Sequence, residues 1–154
     1  MKTRRRRQHG FTLLELLVVM VIAGVMLGVV SFNAMPSQRQ RLENDAKRIA
    51  LLLQLARDEA ILRNTPVAFD ADQYAYRFLV REDRVWSPLK DDMLRERDFE
   101  LSPVELHIEP AQNQTGVRII FGREPVDKPF VLTLKVPDGS VKISADGIGH
   151  FSVE

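Results

Sequence analysis

From Phe11 to Met35 the chain runs for 25 residues with Glu15 as its only charge, three residues after the cluster Arg4 to Arg7. As a helix rising ~1.5 Å per residue this stretch covers about 37 Å, more than the ~30 Å hydrocarbon core of a bilayer. It is expected to cross a membrane once, with the arginines held on the cytoplasmic side and everything after it on the other side. A cleaved secretory signal fits less well. Such signals carry an apolar stretch of about 7 to 15 residues ending in a small-residue site, and this stretch is longer and lacks A-x-A at its end.

Glu15 needs a reason, because a carboxylate in the middle of a spanning helix costs about 2.5–3.5 kcal/mol on insertion scales. Its setting is the string Gly10, Phe11, Thr12, Leu13, Leu14, Glu15. This G-F-T-L-L-E run after a basic leader resembles the class III signal of type IV pilins and pseudopilins. The resemblance implies that a prepilin peptidase cuts between Gly10 and Phe11 and methylates the new amine of Phe11. It also implies that Glu15 is an assembly residue, paired with the Phe amine of a neighbouring subunit. An amine on Phe11 lies one helical turn from Glu15 on the same face, and pairing the two lowers the cost of burying either. A pair within one chain is equally feasible, so the two arrangements stay open here. Gly24 and Gly28 form G-x-x-x-G, which allows close helix approach but is also common without it. Pro36 removes a backbone donor and is expected to kink the helix.

The remainder is long enough for one compact domain. The net charge of +1 conceals an asymmetry, since Lys2 and Arg4 to Arg7 supply five of the 22 Lys and Arg, leaving 17 against 21 acids. An acidic domain argues against nucleic acid as a partner. The absence of cysteine excludes disulfides, thiolate metal sites and cysteine nucleophiles.

After Pro36 the residues Leu42, Ala46, Ile49, Leu53, Ala56 and Ala60 recur in steps of four and three, predicting one buried helical face. Leu52, Leu55 and Ile61 widen it. Arg41, Glu43, Lys47, Arg48, Arg57, Asp58 and Arg63 are expected to be solvated, and Asn64-Thr65-Pro66 to end the helix. From there the pattern turns to short β-type runs: 67–70, 74–81, 84–86, 104–109, 117–121, 130–136, 141–144 and 148–153. Phe130, Leu132, Leu134 and Val136 alternate onto one face as expected core. Pro88 to Pro103 reads as a long charged loop with a helical turn near Met93, and Asn113 to Gly116 as a second loop. The fold class is α+β: a long transmembrane-plus-amphipathic N-terminal helix packed on an antiparallel two-sheet β domain. Its expected divisions are a cleaved leader over 1–10, the assembly helix over 11–35, the amphipathic half over 36–65 and the β domain over 66–154.

Nothing nominates a catalytic residue, a cofactor site or a metal site. His9, His107 and His150 lack ligand spacing, and Asp70 with Asp72, or Asp91 with Asp92, lack the further oxygens and glycine of a calcium loop. These acids are read as turn and loop residues. Tyr74, Tyr76, Phe78 and Trp86 are read first as core, with an exposed contact surface as the alternative.

Further along, the chain is similar to the H-type minor pseudopilins of type II secretion (the GspH family). The similarity rests on its length, on the missing C-terminal cysteine pair, and on Tyr76 and Trp86-Ser87-Pro88-Leu89 ahead of an acidic loop with Leu94-Arg95-Glu96-Arg97. It rests also on the closing Ile143-Ser144-Ala145-Asp146-Gly147. It implies a two-sheet sandwich on the helix and a place in a periplasmic pseudopilus that helps export folded proteins across the outer membrane. The implied partners are the prepilin peptidase, the major and other minor pseudopilins and inner-membrane lipid, with the secretin or an exoprotein as further contacts. Because the family's tip subunit lacks the glutamate, Glu15 implies a position below the tip. The alternatives are a minor pilin of a type IV pilus or DNA-uptake filament, and a single-pass periplasmic binding protein.

Overall fold

The computed structural model describes residues 12–32, 37–111 and 116–154. They fall into two compact units divided between Pro36 and Ser37. The first is a single helix, α1 (Leu13–Phe32). Leu13, Leu17, Val21 and Leu27 on it are 81, 56, 56 and 71% exposed, so its described apolar side chains stay exposed.

The second unit begins with α2 (Gln38–Leu62). Ser37 starts it as N-cap, its Oγ accepting from Gln40 N at 3.2 Å. The chain leaves through Asn64 at φ 51°, where the expected Asn-Thr-Pro stop falls. All six residues of the predicted stripe, Leu42 to Ala60, are fully buried.

Nine strands follow among the described residues: β1 (Val67–Ala71), β2 (Ala75–Glu82), β3 (Val85–Pro88), β4 (Arg97–Asp98), β5 (Glu105–Glu109), β6 (Val117–Phe121), β7 (Phe130–Val136), β8 (Gly139–Ala145) and β9 (Phe151–Val153). They form two antiparallel sheets. One has the order β3-β2-β1-β6, with the short β4 also on β2; the other runs β5-β7-β8-β9. α2 packs against β1, β6, β8 and β9, so both sheets share one core with the helix. Leu132, Leu134 and Val136 point into it as their alternation predicted, and Phe130 is half-buried at its margin.

Turn chemistry fixes the hairpins. Asp72 Oδ1 accepts from the amides of Tyr74 and Ala75 at 2.7 and 3.0 Å between β1 and β2. Asp83 and Arg84 take φ 47° and 67° between β2 and β3, the handedness that matches strand twist. Val136 pairs with Gly139 across the two-residue turn Pro137-Asp138.

The structure departs from the sequence-based expectations in several places, and Tyr74, read first as core, is 54% exposed. Residues 88–103 hold the strand β4 and no helical turn: near Met93 the chain is turned by Asp91 Oδ1, which accepts from Met93 N and Leu94 N at 2.7 and 3.1 Å. That segment also sends Leu89, Leu94 and Phe99 into the core, at 5, 1 and 5% exposure. Asp70 is no turn residue; it lies in β1 between two arginines. Arg48 and Arg57 are engaged rather than simply solvated, as described below. The second expected loop, from Asn113, lies mostly outside the described residues.

Candidate assembly surface

Of the residues singled out in the N-terminal motif, Gly10, Phe11 and Pro36 lie outside the described residues. Glu15 stands in the first turn of α1. Its amide donates to Thr12 O at 3.0 Å and to Thr12 Oγ1 at 3.3 Å. Thr12 therefore caps α1, a T-x-x-E arrangement that the sequence reading passed over. These bonds use the backbone of Glu15. Its carboxylate has no hydrogen-bond or ion-pair partner among the described residues, although an acid at the helix start is favoured by the peptide dipoles. Around Gly24 and Gly28 there is open space where a Cβ would stand. The apolar girdle and its two small notches thus face outward from this unit.

In the second unit the rigid elements are tied by buried polar links that periodicity alone did not reveal. Asp45 is 1% exposed on α2. It accepts from Glu100 N at 2.8 Å and pairs with Arg48, whose Nε donates to Tyr76 Oη at 3.0 Å. Burial pushes the Asp45 carboxyl above its usual range, against the lowering effects of the Glu100 amide and Arg48. The same burial raises the Tyr76 phenol. The signal in the sequence was the spacing Asp45 to Ala46 and Ile49, which sets this acid beside the stripe.

A second tie joins α2 to the C-terminal turns. Arg57 donates to the carbonyls of Pro125 and Ile148, the latter at 3.1 Å, and its side chain is 12% exposed. The turn it meets is organised by Asp146, whose Oδ1 accepts from Ile148, Gly149 and His150 amides at 2.8, 3.1 and 3.0 Å. Desolvation opposes ionisation there, but these amides and the His150 ring outweigh it and hold Asp146 down at about 2. On the outer side of β1, Asp70 lies between Arg77 and Arg118, each 3.1 Å away. Partial burial pushes Asp70 up; the two guanidiniums more than offset it and keep the carboxyl below 3.8. His107 stands exposed on β5, and among the described residues no cluster of His, Asp and Glu could hold a metal.

Solved structures share this architecture. The minor pseudopilin EpsH from the type 2 secretion system of Vibrio cholerae superposes with a TM-score of 0.58 at 19% identity, over 74% of this chain and 96% of that one. The type IV minor pilin FimU of Pseudomonas aeruginosa gives 0.57 at 18% identity, over 76% and 90%. The fold is therefore that of a pilin-like subunit, an apolar leading helix followed by a helix-backed antiparallel sandwich. In sequence, the prokaryotic N-terminal methylation motif matches residues 5–31 and the type II transport protein GspH family matches residues 45–149. The chain belongs to the GspH family, the minor pseudopilins of type II secretion. Type II secretion system protein H of Aeromonas hydrophila is 27% identical to it over 96% of this chain and 93% of its own length.

Membership makes it a structural subunit rather than a member of an enzyme family, a substrate of prepilin peptidase and a partner of other pseudopilins. It also points to a membrane-anchored place in the periplasmic pseudopilus. Among the described residues no helix is long and apolar enough to cross a membrane. The expected span from Phe11 to Met35 takes in residues outside them at both ends.

Proposed function

We propose that this chain enters the inner membrane once through residues 11–35, with residues 37–154 in the periplasm, and is built into a pseudopilus that moves folded proteins toward the outer-membrane secretin. Cleavage falls between Gly10 and Phe11, Phe11 is N-methylated, and the Glu15 carboxylate receives the Phe amine of an adjacent subunit. The major pseudopilin and other minor ones are its neighbours, inner-membrane lipid surrounds it before assembly, and the subunit stands below the tip. One observation carries this reading: an N-terminal methylation motif over 5–31 stands in the same chain as a GspH match over 45–149, with Glu15 four residues after Phe11. Mass spectrometry of the chain's N-terminus, with and without the peptidase, tests it. N-methyl-Phe11 is expected only with the enzyme, and a chain still beginning at Met1 in its presence overturns the reading.

The likeness to FimU favours a second reading, a minor pilin of a type IV pilus. Deletion of the gene separates the two. Loss of exoprotein secretion with pili intact supports secretion, and loss of pili alone supports the pilus.

A further inference from the structure

The sequence holds two Asp-Gly pairs, Asp138-Gly139 and Asp146-Gly147, and the fold treats them oppositely. Before a glycine, an aspartate carboxyl is most easily reached by the next amide nitrogen, because no Cβ stands in the way. At Asp146 that approach is closed. Its Oδ1 is held by the amides of Ile148, Gly149 and His150, and its Oδ2 by His150 Nδ1 at 2.8 Å. The carboxyl stays ionised, at about 2. Gly147 is fixed as well: its carbonyl accepts from Asp127 N at 2.7 Å, and at φ +83° a Cβ on it would collide with Asp127 O.

Asp138 is placed quite differently. It stands at the tip of the β7–β8 hairpin, in the two-residue turn between Val136 and Gly139. It is exposed, with no hydrogen-bond or ion-pair partner among the described residues. A Cβ on Gly139 would meet nothing within 4 Å, so the turn has room for a ring. Exposed hairpin tips open locally at a small fraction of the global unfolding free energy, and that opening supplies the rotation that brings Gly139 N to the Asp138 carboxyl carbon.

We propose that Asp138-Gly139 is a site of spontaneous backbone modification, in which aspartate passes through a succinimide to isoaspartate with water as the only co-reactant. Gly139 N attacks Cγ of the neutral Asp138 carboxyl; an N–Cγ bond forms, the amide proton goes to the departing hydroxyl, and one water leaves. Water then adds to either ring carbonyl. Addition at Cγ breaks the new bond and restores aspartate. Addition at the main-chain carbonyl breaks its bond to Gly139 N, leaving Gly139 joined through Cγ and the former main-chain carbonyl as a free carboxylate. Nothing is oxidised or reduced. The product has one extra main-chain carbon in a turn whose length sets the β7–β8 register, beside Val136, a core side chain 6% exposed. The hairpin end and that side chain therefore loosen together. None of this depends on the assembly reading above.

The test ages the full chain in detergent at pH 7, folded and in urea. Isoaspartate is mapped by peptide mass spectrometry and by methyl transfer from S-adenosylmethionine with a protein isoaspartyl methyltransferase. In the folded chain, formation at 138 should exceed that at 146 about tenfold, because one site opens locally and the other must first break its hydrogen bonds; in urea the two should converge. Gly139→Ala should suppress formation at 138 several-fold and keep its urea midpoint through ageing, while the midpoint of the wild type falls. Asp138→Asn should react faster through the same ring, releasing ammonia and yielding aspartate together with isoaspartate. Equal formation at both sites in the folded chain, formation at 146 alone, or none at 138 when the urea sample forms it at both overturns the proposal.

Discussion

The guanidinium of Arg57 occupies the space that any side chain on Gly149 would need: a Cβ there would lie 2.7 Å from Nη1. Gly149 also holds φ at +112°, a conformation that side chains on L-residues rarely adopt. Gly149→Ala should therefore destabilise the domain by about 1–3 kcal/mol. In an Arg57→Ala background the steric part of that cost should vanish while the backbone part stays. Urea unfolding of the four chains measures the coupling, and strictly additive costs would mean that Arg57 and Gly149 do not constrain each other.

Asp45→Ala should remove the acceptor for the Glu100 amide and the partner of Arg48 in one step. A buried donor left unpaired costs about 1–3 kcal/mol. Hydrogen exchange at Glu100 should accelerate more than exchange at Leu132, and proteolysis should begin between Pro88 and Pro103. Unchanged protection at Glu100 would show that the link to α2 does not secure that segment.

Asp70 gives the domain an acid limit. Its folded carboxyl lies below the ordinary 3.8, so the charged form is favoured by folding. That contribution is complete above the ordinary value and is lost as pH falls through the folded one. Asp70→Asn should lower the urea midpoint at pH 7, and the gap between the two proteins should close toward pH 2. A gap that is constant from pH 7 to pH 2 would assign the effect to packing instead.

Glu15→Ala leaves intact the bonds from its amide to Thr12, because they belong to the backbone. Cleavage at Phe11 should thus proceed at the normal level, while recovery of the chain in sheared pseudopili should drop several-fold. Equal recovery of mutant and wild type would take the carboxylate out of assembly.

Much of this architecture was legible in the sequence because it is periodic. Leu42 to Ala60 repeat at helical spacing and all six are buried; Leu132, Leu134 and Val136 repeat at strand spacing and all point inward. Asn64-Thr65-Pro66 and Asp138-Gly139 mark their boundaries through local backbone chemistry. What escaped was built from contacts distant in the chain. Asp45 bonds a residue 55 positions away and Arg57 one 91 positions away, so neither partner can be read from a window of neighbours. Leu89, Leu94 and Phe99 were missed for a related reason: irregular backbone carries them inward, and no repeat announces it. Around α1 the N-terminal motif itself was plain, and the capping of α1 by Thr12 was the part left unread.

The core cluster draws every member from Leu42 onward, while the described apolar side chains of α1, Leu13 to Leu27, stay exposed. Under the function proposed above, folding and anchorage are therefore written in separate stretches of the gene. Substitutions along 13–32 can retune how firmly the subunit is held or whom it stands beside without eroding the sandwich. The second unit can in turn diverge on its surface while α1 stays the same.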